Sequence, residues 1–154
     1  MSGNTNQNRD GLHLDEQLCF AIYSAGHAFN RVYKPLLDRL GLTYPQYLAM
    51  LALWEQDAVT VKAIGDRLQL DSGTLTPLLK RLEAAKLVLR TRNAKDERQV
   101  QVTLTPAGRA LRETARQLPE ELLCATGGSQ PDNDSLRERL VALRDRLNAA
   151  ADAA

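Results

Sequence analysis

The chain has 154 residues, 44% hydrophobic and 25% charged, with a net charge of +1. This length supports one compact domain with a core of its own. No apolar run approaches the ~20 residues that span a bilayer, and two cysteines in a reducing compartment argue against a static structural disulfide but leave a transient one open.

Residues 1–11 are polar and Asn-rich and are expected to be a disordered tail. They lack the apolar stretch of a secretory signal, so a cytoplasmic location without a membrane partner is expected. A first long helix is predicted from Leu12 to about Tyr33. Cys19, Tyr23, Gly26, Asn30 and Tyr33 fall on one stripe of it, and Leu18, Ile22, Ala25, Phe29 and Val32 form a second stripe that reads as a core face. Lys34-Pro35 predicts a kink or restart, with Gly41 closing the segment. Thr43 or Tyr44 opens the next helix, Pro45 stands in its first turn, and Tyr47, Leu48, Leu51 and Trp54 form its buried side.

Val59 to Val61 is β-branched and reads as a short strand. A short helix follows, with Ile64 and Leu68 inward. Leu70-Asp71-Ser72 makes the turn, and Asp71 or Ser72 caps a helix running to about Ala85. Leu75, Leu78, Leu79 and Leu82 are its core face, and Thr74, Pro77 and Arg81 lie opposite. Leu87 to Arg92 and Gln99 to Thr103 alternate as strands around a charged hairpin loop. Thr105-Pro106 starts a helix to about Cys124, disturbed at Pro119. Residues 125–132 read as a flexible loop. The last helix carries an apolar seam of Leu136, Leu140, Leu143 and Leu147, which packs either on its own chain or on a second subunit.

The expected organisation is mainly α with a small β-wing. Residues 12–58 are helices of a dimerisation and sensor region, 59–104 a winged helix-turn-helix, and 105–154 C-terminal dimerisation helices. Charge distribution supports this division. Thr60 to Gln101 holds nine Lys/Arg against five Asp/Glu, whereas Glu113 to the end holds five against eight. A basic middle between neutral and acidic ends fits a segment that faces DNA.

In a winged helix-turn-helix the second helix enters the major groove. Ser72, Thr74, Thr76, Lys80 and Arg81 are then the candidates for base edges and phosphates. The hairpin offers Lys95 or Arg98 to the minor groove or backbone, with Asp96 expected to orient the Arg98 guanidinium. His13 and His27 are too sparse for a metal site, and neither zinc spacing nor a phosphate-binding glycine loop is present, so no cofactor is expected.

These segments carry a resemblance. Leu18 to about Leu111 resembles the MarR family of bacterial regulators, and within it the branch that senses organic hydroperoxides. The resembling stretches are Leu18-Cys19-Phe20-Ala21-Ile22-Tyr23, Tyr33-Lys34-Pro35-Leu36-Leu37, Leu42-Thr43-Tyr44-Pro45-Gln46-Tyr47 and Leu70-Asp71-Ser72-Gly73-Thr74-Leu75-Thr76-Pro77. Asp96-Glu97-Arg98 in the wing and Leu104-Thr105-Pro106-Ala107-Gly108 also match.

A peroxide-sensing thiol must be reachable and partly ionised. No Lys or Arg lies within a turn of Cys19, so hydrogen bonds from phenols are the remaining local support. Tyr23 is one turn away. Tyr33 is fourteen residues on, about 21 Å along a straight helix, so it serves Cys19 only across a dimer of antiparallel helices. The resemblance implies that arrangement, with Tyr33 and Tyr44 of one subunit contacting Cys19 of the other. It also implies that oxidised Cys19 is captured by Cys124 of the partner, rotating the winged domains off DNA. The position of Cys124 at a helix end beside the expected loop suits a thiol that must move. Leu18, Phe20, Met50 and Trp54 are expected to line an apolar pocket at the thiol, with Tyr23 and Tyr33 at its edge, favouring organic or lipid hydroperoxides. The expected function is a homodimeric repressor of double-stranded operator DNA, with a thiol peroxidase gene as its implied target. Two rivals are a MarR-type repressor released by a reversible phenolic ligand, and a thiol peroxidase using Cys19.

Overall fold

A computed structural model describes residues 11–154; all but the last residue of the tail expected at residues 1–11 lies outside them. A short 3-10 turn, Leu14–Glu16, precedes α1, Leu18–Asp38. Then come α2 (Tyr44–Glu55), β1 (Val59–Thr60), α3 (Val61–Leu68) and α4 (Ser72–Ala84). The wing strands β2 (Val88–Arg92) and β3 (Val100–Leu104) follow, and α5 (Pro106–Ala115), α6 (Leu118–Thr126) and α7 (Gln130–Asp152) complete the chain.

The helix starts are set by local chemistry. Thr43 accepts from the Gln46 N–H while the Gln46 side chain accepts from the Thr43 N–H, a capping box that fixes the entry to α2. Thr60, Asp71 and Thr105 cap α3, α4 and α5 through single side-chain acceptors. α1 runs through Pro35 for another turn rather than breaking there. The lost N–H costs one hydrogen bond near the helix end, and burial of Leu37 and Leu40 offsets it. Gly41, at φ +66°, then terminates the segment as the Leu42 N–H reaches back to the Leu37 carbonyl.

The core gathers Leu37, Tyr47, Met50, Leu53, Ile64, Leu75, Leu79, Leu82, Val88, Val102 and Leu118. α2 is its central rod. It buries Tyr47, Ala49, Met50, Ala52 and Leu53, so of the expected buried side of Tyr47, Leu48, Leu51 and Trp54 only Tyr47 is buried and the other three are half-buried. The leucine face of α4 is buried as expected. The sheet has the order β1-β3-β2, antiparallel throughout. At Gly65 an added Cβ would stand 2.9 Å from the Leu70 carbonyl, so only glycine lets the turn between α3 and α4 close this tightly.

Other expectations fail too: the first long helix begins at Leu18 rather than Leu12, and the helix expected from Pro106 to about Cys124 is two, α5 and α6. Residues 125–132 are not a flexible loop. α6 continues to Thr126, Gly127 ends it at φ +68°, and Ser129 with Asp132 forms a capping box that starts α7 at once. Leu18, Ile22, Phe29 and Val32 are not core within this chain: their exposures are 61, 41, 44 and 37%. The seam of α7 is likewise open, with Leu136 at 52% and Leu147 at 59%, and α7 buries no residue.

Candidate functional site

The first candidate surface lies between the turn of the helical pair and the wing. Asp71 accepts from the Thr74 N–H at 2.8 Å, which sets the first turn of α4. That hydrogen bond leads the contacts that hold the Asp71 carboxyl below its ordinary range. Ser72, Thr74, Lys80 and Arg81 are exposed along α4, and Thr76 is half-buried. Burial of Leu75, Leu78, Leu79 and Leu82 turns these polar positions outward.

The wing is fixed against this helix by Arg90 and Glu83. The Arg90 guanidinium donates to the Glu83 carboxylate at 2.8 and 3.0 Å, and the Arg90 backbone N–H donates to it at 3.0 Å. The Arg90 side chain is the main cause holding the Glu83 carboxyl below its ordinary range. Between α3, α4 and the wing a cleft of about 550 Å³ opens, lined among others by Lys62, Ser72, Thr76, Arg90, Arg98 and Gln99. The structure thus brings Ser72, Thr76 and Arg98 together. Thr74, Lys80, Arg81, Lys95 and Asp96 do not line this cleft. Asp96 accepts from the backbone N–H of Arg98 at 3.1 Å, so it shapes the wing tip instead of orienting the guanidinium. Lys62 and Arg90 were missed by sequence reasoning. Lys62 stands in the first turn of the helix before the turn, a position whose charge alone is a usable signal.

The second candidate site is divided. Cys19 is exposed in the first turn of α1, and Cys124 is exposed in the last turns of α6; both are free thiols. Tyr23 is exposed and packs edge-on to His27, with ring centroids 4.4 Å apart. The other phenols collect at the far end of α1. Tyr33 lies 4.9 Å from Tyr44 and 6.0 Å from Tyr47, centroid to centroid. Burial, with Tyr44 and Tyr47 adding to it, pushes the Tyr33 phenol well above its ordinary range. Burial does the same for Tyr44. Both remain protonated O–H donors at any working pH.

Among the described residues of the single chain, the expected apolar pocket at Cys19 is not formed. Met50 is fully buried in the core, the Trp54 indole donates to the Gly108 carbonyl at 2.9 Å, and Leu18 is exposed beside Cys19. An apolar crevice of about 680 Å³ lies instead at the phenol end, among Phe29, Tyr33, Tyr47, Leu51, Leu123 and Leu140.

Among the described residues no group of His, Cys, Asp or Glu is arranged to hold a metal ion, and no helix is long and apolar enough to cross a membrane.

A capped helical pair, a β-wing locked to its second helix, and flanking helices with exposed apolar faces define a winged-helix transcriptional regulator. The sequence pattern of the transcriptional regulator SarA/Rot family matches residues 31–114. The chain belongs to this family of MarR-like winged-helix regulators, whose members are regulators and not enzymes. It is 51% identical over 142 residues to the HTH-type transcriptional regulator TtmR of Methylorubrum extorquens, covering 92% of this chain and 73% of that protein. It is 45% identical over 139 residues to the organic hydroperoxide resistance transcriptional regulator of Bacillus subtilis, covering 90% of this chain and 95% of that protein. Among solved structures it resembles AbfR of Staphylococcus epidermidis, with a TM-score of 0.74 and 36% identity over 88% of this chain and 94% of that one. AbfR has also been solved reduced and bound to DNA, at a TM-score of 0.68, and in a disulfide form, at 0.59.

Proposed function

We propose that this regulator is a cytoplasmic homodimer that represses from operator DNA and is released when organic hydroperoxides oxidise Cys19. One observation carries the reading. The protonated phenol of Tyr33 stands about 21 Å from Cys19 along one unbroken helix, α1, whose exposed stripe is apolar, and Tyr44 at the start of α2 packs beside it. An antiparallel second copy covers that stripe and brings each Cys19 to the other subunit's phenols. The apolar crevice beside Tyr33 then receives the alkyl part of the peroxide.

The chemistry balances with the hydroperoxide as the sole oxidant. The Cys19 thiolate attacks the terminal peroxide oxygen. The O–O bond breaks, the alkoxide leaves as an alcohol after protonation, and Cys19 becomes a sulfenic acid. The Cys124 thiol of the other subunit then attacks that sulfur, expelling water and forming the disulfide. Sulfur atoms join only when the Cα atoms come within ~7 Å, and in this reading a shift of α6 brings Cys124 within that reach. That shift turns the winged lobes out of register with successive major grooves ~34 Å apart. The relative AbfR supports this course. That protein has been solved both reduced on DNA and with a disulfide formed.

On DNA, Ser72, Thr74, Thr76, Lys80 and Arg81 serve the major groove, and Lys95 and Arg98 the backbone or minor groove, with Asp96 shaping the wing tip. Cys19→Ser tests the reading: the variant should hold operator DNA under cumene hydroperoxide that releases the wild type. Release of both proteins alike would favour a repressor that lets go on reversible ligand binding.

A further inference from the structure

α6 carries Cys124, and its attachment is uneven. Leu118, at its start, is fully buried in the core. One turn on, Glu121 receives Arg39, whose Nη2 donates to both carboxylate oxygens at 2.7 and 2.8 Å. Cys124, three residues later, is exposed. Arg39 is the residue that closes α1, and Glu121 lies in the first turn of α6. Each side chain therefore also suits the dipole of its own helix. The pair bridges residues 82 apart in sequence. Beyond it, Ala125 and Thr126 lie beside Ala25 and Phe29, so α6 runs back along α1 towards its start.

We infer that the Arg39–Glu121 pair is a clamp that holds α6 in its reduced position and sets how readily Cys124 reaches the oxidised Cys19. The inference rests on the proposed thiol chemistry and adds positioning residues to it. Glu121 and Cys124 are neighbours on one helix, three residues apart, so Cys124 cannot travel with its turn intact unless Glu121 moves as well. The clamp acts only on the second chemical step. The first, attack of the Cys19 thiolate on peroxide with loss of an alcohol, occurs at the opposite end of α1. The second, attack of the Cys124 thiol on the sulfenic sulfur with loss of water, requires the displacement.

The test separates the two steps in the full-length protein. Sulfenic acid formation is followed with a dimedone-type trap after one equivalent of cumene hydroperoxide in a Cys124→Ser background, where no second thiol competes for the sulfenic sulfur, and disulfide formation by non-reducing gel with Cys124 in place. Glu121→Gln keeps the side-chain shape and removes the charge. It should leave the trapping rate unchanged and speed the disulfide step about two- to fivefold, the range of a partly exposed ion pair. The gain should shrink at 1 M salt, where the wild-type pair is screened. Reversing both charges, Arg39→Glu with Glu121→Arg, should bring the rate back towards wild type. A disulfide step unchanged or slower in Glu121→Gln, or a double variant as fast as the single one, would overturn the clamp. Failure of the wild type to form any Cys19–Cys124 bond would instead overturn the thiol reading beneath it.

Discussion

Tyr33 illustrates how a single side chain is conditioned by its surroundings. Desolvation and two neighbouring phenols keep it neutral, and a neutral phenol in contact with a thiolate has one role, to donate its O–H. A hydrogen bond to a charged partner is worth roughly 1.5–3 kcal/mol. Tyr33→Phe should therefore slow Cys19 oxidation by about tenfold or more in stopped-flow measurements, while operator affinity of the reduced protein stays the same. An unchanged oxidation rate would remove Tyr33 from the thiol site. Asp57 is a second such residue. Burial pushes its carboxyl up, but hydrogen bonds from the Leu104 N–H, Arg109 and the Ala58 N–H outweigh this and hold it below its ordinary value. Its charged form is thus favoured in the folded state. That stability is present above the ordinary carboxylate range and is lost as pH falls through and below it. Asp57→Asn should be less stable at neutral pH and lose less on acidification, as read from urea unfolding at pH 7 and pH 3.5. Parallel losses in the two proteins would contradict this role.

At the scale of elements, the wing and recognition helix form one unit, because Glu83 and Arg90 tie α4 to β2. Truncating the core under that unit, Leu79→Ala, should cost about 2–5 kcal/mol of unfolding free energy. Arg98→Ala should leave stability intact, weaken operator binding in both redox states, and lower the salt slope of binding by about one. Equal binding by Arg98→Ala would take Arg98 off the DNA. Most of these elements were legible in the sequence because their signals are local: the Asp71 cap, the leucine period of α4 and the alternation of β2 and β3. The junction after Cys124 was not. Gly127, Gly128, Ser129 and Pro131 read as a loop by composition, yet the same residue types end one helix and begin the next. A C-cap followed directly by an N-cap has the composition of a longer loop.

The apolar stripe of α1 bears on the whole molecule, and sequence reasoning assigned it to the core of one chain. The stripe Leu18, Ile22, Phe29 and Val32 has the period of a core face, and helical period does not record which chain covers it. The structure leaves this stripe open, together with Leu136, Leu140 and Leu147 of α7. Contiguous apolar faces of this extent mark an interface. Leu140→Glu should shift the protein from dimer to monomer in sedimentation velocity and weaken operator binding. A stable dimer would place the interface elsewhere. The most direct measurement of the central claim is a non-reducing gel with peptide mass spectrometry after one equivalent of cumene hydroperoxide. A reducible, dimer-sized band that maps to Cys19 joined to Cys124 is expected. A monomer band, whether with both thiols intact or with the bond closed inside one chain, would contradict it.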